Sequence, residues 1–229
     1  MSRSSRAVLD KHLQAIQDDV LRMAHLLDAA ISRSLEALAA QDARLAQEIV
    51  AGDAQINALR FGIEEACLAL IATQQPAAGD LRAVIAAMNI VGDMERMADH
   101  AAGVARLVQT MGGEPLLKPL IDIPRMVEVC RSMLHESLQA FVERNPDKAR
   151  QVAIQDNTID ALYKQIFREL LSFMVEDPAT TSRALVLLFA AHNYERIGDR
   201  ATNIAERVIF LASGEMRELN PEPPGTSHL

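Results

Sequence analysis

Apolar residues recur in steps of three and four along most of this chain. Leu9, Leu13, Ile16, Val20, Met23, Leu27, Ile31, Leu35 and Leu38 hold that step over the first forty residues. A run so sustained predicts a long amphipathic helix with bundle-type packing. Gln41-Asp42 breaks it, and a second seam follows through Leu45, Ile49, Ile56, Leu59, Ile63 and Leu70, predicting a helix over about 43–73. Gln74-Gln75-Pro76-Ala77-Ala78-Gly79 ends the second helix, and Asp80 is the N-cap expected for a third, running to about Met111.

Gly112-Gly113-Glu114-Pro115, with Pro119 and Pro124 beyond, is the strongest break and the expected domain boundary. A fourth helix then runs to about Arg144. Asn145-Pro146-Asp147 stops it and starts the fifth with Pro146 near N1, and Asp177-Pro178 repeats the device for the sixth, ending near Ser213. The layout expected is a lead over 1–7, a three-helix bundle over 8–111, a linker over 112–119, and a second three-helix bundle over 120–213. An aperiodic, Pro- and Gly-containing tail over 214–229 is expected to be disordered.

The halves are related. Asp53-Ala54-Gln55-Ile56-Asn57-Ala58-Leu59 resembles Asp156-Asn157-Thr158-Ile159-Asp160-Ala161-Leu162 at a lag of 103 residues, and Ser34-Leu35 and Ser137-Leu138 keep that lag. Glu95-Arg-Met-Ala-Asp99 returns as Glu195-Arg-Ile-Gly-Asp199 at a lag of 100. The fold class that follows is all-α: two tandem, similar three-helix bundles made by internal duplication, each up-down-up because the loops are short.

Composition agrees. Hydrophobic residues are 49% of the 229 and aromatics only 3%, a profile that favours helices over strands. The net charge of −8 argues against nucleic acid as the main partner. Cys67 and Cys130 sit inside helical patterns and read as buried free thiols of a reducing compartment. No run approaches the ~18 apolar residues of a membrane span, and residues 1–6 lack an apolar signal region. A soluble, cytoplasmic protein is expected, reaching membranes only through partners.

The duplicated motif carries the candidate chemistry. Carboxylates four apart on a helix stack one turn above the other, and like charges there repel by a few tenths of a kcal/mol. Glu95 with Asp99, and Glu195 with Asp199, take this penalty at equivalent places. A solvated face would suit one copy, and repetition could by itself preserve a structural ion pair, since Arg96 and Arg196 also recur. Recurrence favours a cation, bound by hard oxygen ligands. Two ligands per helix are too few, and Asp53 and Asp156 on the second helix of each half are the further candidates. The core seams of the third and sixth helices (Ile90, Met94, Met97, Ala101, Val104, Val108; Ala190, Tyr194, Ile197, Ala201, Ile204, Val208, Leu211) leave the carboxylates on an outer face with small neighbours.

The six histidines show no paired zinc spacing, and the Glu-x-x-His of di-iron bundles is absent, as are nucleotide loops and nucleophile elbows. The methionines read as core filling. Nothing in the sequence points to an enzyme.

Glu195-Arg-Ile-Gly-Asp-Arg-Ala-Thr-Asn-Ile-Ala-Glu206 and Glu95-Arg-Met-Ala-Asp-His-Ala101 resemble the signature of the PhoU phosphate-signalling regulators. The resemblance extends to Lys11-His12-Leu13, Ile49-Val50-Ala51-Gly52-Asp53, Glu64-Glu65-Ala66-Cys67 and Gln75-Pro76-Ala77-Ala78-Gly79-Asp80-Leu81-Arg82, covering about residues 8–213 in order. It implies an accessory protein of high-affinity phosphate transport that keeps the phosphate-starvation response off. The implied partners are the ATPase subunit of the phosphate ABC transporter and a sensor histidine kinase. It also implies a homodimer, and metal at Glu95/Asp99 and Glu195/Asp199, with iron, magnesium, manganese and zinc all open. Asn203 belongs to the pattern, whereas Gly103 stands at its place in the first half, making the first site the poorer one.

Leu81, Ile85 and Met88 extend the first carboxylate face with apolar residues, as Leu185 and Leu188 do in the second. That half-apolar, half-acidic face is the expected partner or dimer surface. Arg96 and Arg196 are candidate anion contacts, with pairing to neighbouring carboxylates the stronger expectation. The competing reading is a metal-binding or metal-storage helical protein without a signalling role.

Overall fold

The computed structural model describes residues 3–215 and Leu219. Six long helices follow in order: α1 (Arg3–Ala40), α2 (Ala43–Gln74), α3 (Ala78–Thr110), α4 (Asp122–Glu143), α5 (Pro146–Glu176) and α6 (Thr181–Ser213). No strand occurs among the described residues. No described helix is long and apolar enough to cross a membrane. Most of the segment 214–229, expected to be disordered, lies outside the described residues.

Sequence chemistry sets most of the helix ends. Asp42 caps α2 by accepting from the backbone N–H groups of Arg44 and Leu45, both at 2.9 Å. Asn145 does the same for α5 toward Asp147 and Lys148, with Pro146 at the first turn. Each satisfies orphan donors worth about 1 kcal/mol. Gly112 and Gly113 turn the chain after α3 with φ of +61° and +81°, a region that costs glycine little.

Three ends differ from expectation. Ala77, not Asp80, precedes α3 and offers no side-chain cap. Asp80 lies inside the first turn, and its carboxylate pairs instead with Arg6 of α1 at 2.6 Å. The first helix therefore reaches back to Arg3 and includes part of the polar lead. Asp177-Pro178 opens a single 3₁₀ turn, Pro178–Thr180, and α6 starts after it.

α1, α2 and α3 pack mutually, as do α4, α5 and α6. The halves join mainly along α3 and α6, with a lesser α1–α4 contact, while α2 and α5 each pack within their own half. One continuous apolar core runs through both halves. The predicted seams of α3 and α6 are all buried, but these helices bury more than a seam: Val91, Ala98, Ala102 and Ala105 on α3, and Ala191, Gly198, Thr202 and Ala205 on α6, are covered too. Three neighbouring helices surround each of the two, and small side chains let those helices approach closely. Cys67 and Cys130 are buried free thiols. Burial pushes the Cys67 thiol up to about 12 and Cys130 up as well.

Candidate functional site

The two glutamates of the carboxylate motifs do not stand on a solvated outer face. The Glu95 and Glu195 side chains are only 18% and 19% exposed, because α2 and α5 lie against that side of α3 and α6. Asp99 remains exposed and Asp199 half-buried. The close approach shows at Gly198, where an added Cβ would stand 2.6 Å from Ile159 Cδ1 and 3.2 Å from Asp156 Oδ1.

In the second half, the charges of Asp199 on α6 and of Asp156 and Asp160 on α5 all act on Glu195 of α6. Asp156 is buried at 8% exposure. Glu195 Oε2 is buried without a hydrogen-bond partner; His192 Nδ1 is 3.5 Å away and Arg196 Nε 4.0 Å. Burial first, then the charge of Asp199, raises the Glu195 carboxyl to about 7; Arg196 opposes, and Asp160 and Asp156 add to the rise. Arg196 Nη1 is held at 2.9 Å by Asp199 Oδ2. Tyr163 of α5 faces His192 with ring centroids 6.0 Å apart.

In the first half, Asp53 of α2 approaches Asp99 of α3. Asp53 Oδ2 accepts from Asn57 Nδ2 at 3.0 Å, whereas Asp53 Oδ1 is buried and unbonded. Burial, then the charge of Asp99, raises its carboxyl pKa, against Arg106 and Asn57. Glu95 has a closer cation than Glu195 does: Arg60 Nη1 lies at 3.2 Å, while Arg60 Nε holds Glu64 at 2.9 Å. Aligned by the duplication, Arg60 occupies the place of Tyr163, Asn57 that of Asp160, and Gly92 that of His192. The first cluster is thus partly neutralised from within, and the second holds an excess of acid. That alignment was available in the sequence and would have singled out Arg60 and Asp160.

The donor chemistry fits a hard cation: carboxylate oxygens, two of them buried and unsatisfied, on Glu195 and Asp53, whose carboxyls hold their protons more tightly than isolated acids. Among the described residues, no three His, Cys, Asp or Glu side chains already converge as a ligand set.

The other predicted residues lie elsewhere. Asn203 Nδ2 donates to Asp93 Oδ1 of α3 at 3.3 Å, across the seam between halves. Its counterpart place, Gly103, is filled from the other side, since an added Cβ would stand 2.8 Å from Asn193 Oδ1. Gly103 is therefore explained by packing against Asn193, which also meets His100 at 3.1 Å. Arg96 is exposed. Leu81 and Ile85 are half-buried and Leu185 is 37% exposed, whereas Met88 and Leu188 pack on the core. Phe189, one turn beyond Leu185, is 51% exposed and adds to that surface.

A family model described as "PhoU domain" matches this chain twice, over residues 20–108 and 123–208. The chain belongs to the PhoU family. The "Phosphate-specific transport system accessory protein PhoU homolog" of Aquifex aeolicus is 40% identical over 91% of this chain and 94% of its own length. The PhoU protein of Escherichia coli, named in the same terms, is 32% identical over 89% of this chain and 84% of its own. The crystal structure of PhoU from Pseudomonas aeruginosa superposes with a TM-score of 0.85 at 36% identity, covering 90% of this chain and 99% of that one. The "phosphate transport system regulatory protein PhoU" of Streptococcus pneumoniae also gives 0.85, at 31% identity, over 91% and 99%. The two PhoU matches coincide with the two bundles, and each contains one carboxylate motif.

Proposed function

We propose that this protein is a non-catalytic regulator of phosphate uptake that works in the cytoplasm and holds the phosphate-starvation response off when phosphate is plentiful. The observation that carries the reading is the double PhoU match, with relatives covered over most of their length and named as accessory to phosphate-specific transport. The protein links the ATPase subunit of the phosphate ABC transporter to a sensor histidine kinase. The surface bearing Leu81, Ile85, Leu185 and Phe189 serves as the docking face or the homodimer face.

The carboxylate clusters serve as cation sites in this reading. Glu195, Asp199 and Asp156 would hold the ion in the second half, and Glu95, Asp99 and Asp53 in the first. A bound divalent cation supplies positive charge that ties α5 to α6, or α2 to α3. The protein's own part is to desolvate Glu195 and place it against three other acids, so that a cation relieves a repulsion already built in.

The test is a starvation-promoter reporter read at high phosphate in a deletion strain. Complementation with wild type should silence it. Glu95, Asp99, Glu195 and Asp199 all replaced by Ala should leave it active. A reporter that stays silent in the deletion strain overturns the regulatory reading; a quadruple variant as effective as wild type removes the carboxylates from it.

A further inference from the structure

We infer that the outer face of α2 docks on the outer face of α5 in a second copy of this chain, with Glu65 of one copy set against Arg168 and Lys164 of the other. The inference goes beyond the regulatory reading, and it uses neither the carboxylate motifs nor the surface around Leu185.

α2 is apolar on two opposite sides. Ile56, Ile63, Cys67 and Leu70 are buried in the core, while Ala58, Phe61, Gly62, Leu68, Ala69 and Ala72 share the far side and are exposed. Phe61 and Leu68 are each 57% exposed. A helix apolar all round belongs in an interior, yet α2 packs only on α1 and α3, and among the described residues nothing covers the outer stripe. Its small residues would let a second helix come close: a Cβ added at Gly62 would meet nothing within 4 Å. Phe61 is already steadied by the Arg60 guanidinium, 5.3 Å from its ring centroid, so little side-chain freedom remains to be lost on docking.

Charge identifies the occupant. The duplication repeats the stripe on α5, where Ala161, Leu171 and Val175 are exposed, Val175 at 75%. Glu65 is the one charged residue within the α2 stripe, and its equivalent on α5 is Arg168, one turn from Lys164. Among the described residues neither Glu65 nor Arg168 closes an ion pair within 4.0 Å, and Lys164 reaches Asp160 only at 3.8 Å. A lone charge in an apolar stripe is costly to cover unless an opposite charge meets it. Two α2 stripes laid in register would set Glu65 beside Glu65, and two α5 stripes Arg168 beside Arg168. The crossed pairing sets unlike charges together and apolar residues against apolar ones. Within one chain α2 and α5 do not touch, so the partner must be another copy. The contact is heterologous: a first docking leaves one α2 face and one α5 face open, and assembly grows with concentration.

The test is sedimentation velocity of the full chain over a concentration series, in chelator so that metal bridges play no part. The wild type should sediment faster as concentration rises, and the effect should weaken as potassium chloride is raised. Glu65→Arg and Arg168→Glu should each weaken self-association by about tenfold or more. Mixing the two variants should restore it, because each then offers the other a matched pair, and so should both changes in one chain. Phe61→Ser should weaken it with the charges intact. All of these side chains are exposed, so circular dichroism should show unchanged helicity. A wild type that stays monomeric at every concentration overturns the inference. So does either single charge variant that associates like wild type, since α2-to-α2 contact would ignore Arg168→Glu and α5-to-α5 contact would ignore Glu65→Arg. The phosphate-starvation reporter plays no part in this test, so failure here is distinct from failure of the regulatory reading.

Discussion

Arg131 of α4 grips Asp28 of α1 through two charge-assisted hydrogen bonds, Nε to Oδ1 at 2.7 Å and Nη2 to Oδ2 at 2.8 Å, and the two residues stand 103 apart, at equivalent positions of the duplicated halves. In an assembly of two identical chains, such a position near the axis would face its own copy, Asp against Asp. In this chain the two copies differ at that position, and opposite charges stand where like ones would meet. The same divergence shows on the other seam, where Asp93 faces Asn203 while Asn193 faces Gly103.

The ion pair should therefore tolerate reversal better than loss. Asp28→Asn or Arg131→Met is expected to destabilise by about 1 kcal/mol, since the arginine side chain is 37% exposed and solvent screens part of the attraction. Asp28→Arg alone should cost more, and adding Arg131→Asp should recover most of it in a double-mutant cycle read by chemical denaturation. The hydrogen bonds from Arg131 hold the Asp28 carboxyl below its ordinary value near 3.8. A depressed folded-state pKa means that this stability is present above about pH 4 and is lost as the pH falls through the lower folded value.

Glu195 has the opposite sign. Its folded pKa, about 7, lies above the ordinary 4.5, so its favourable contribution is full below pH 4.5 and is lost as pH rises through 7. In metal-free protein, Glu195→Gln should raise stability at pH 8 by on the order of 2 kcal/mol and leave it nearly unchanged at pH 4. Melting curves at the two pH values check this; equal shifts at both would assign the effect to packing instead.

Arg60 makes the two carboxylate clusters unequal. A guanidinium already pairs with Glu95, whereas the corresponding residue in the second half is Tyr163. Divalent metal should therefore bind more tightly in the second half. Metal content by mass spectrometry is expected to fall sharply in Glu195→Ala/Asp199→Ala and little in Glu95→Ala/Asp99→Ala. Arg60→Gln should raise occupancy of the first cluster.

Tyr194 is the largest side chain of the α6 seam and is fully buried. Its hydroxyl lies 2.9 Å from Ser34 Oγ of α1, and Ser34 donates to Ile31 O at 2.7 Å, so the tyrosine is the donor in the pair. Tyr194→Phe should cost about 1 kcal/mol, leaving Ser34 with its backbone bond. Tyr194→Ala should cost about 3–5 kcal/mol through the cavity it opens beneath both halves. Denaturation midpoints give both values.

The sequence by itself determined the six helices, their duplication and the buried seams. Those features depend on near-neighbour spacing, on caps such as Asp42 and Asn145, and on repeats that a single chain displays directly. It also marked Glu95, Asp99, Glu195 and Asp199. Which way those carboxylates faced was decided by tertiary structure, because a helical wheel shows one apolar stripe and cannot show that α2 and α5 cover a second side of α3 and α6. The pairing of Asn203 with Asp93 and the closing of the first cluster by Arg60 are likewise contacts between residues on different helices. They depend on how the helices pack against one another, and no spacing along one helix encodes that.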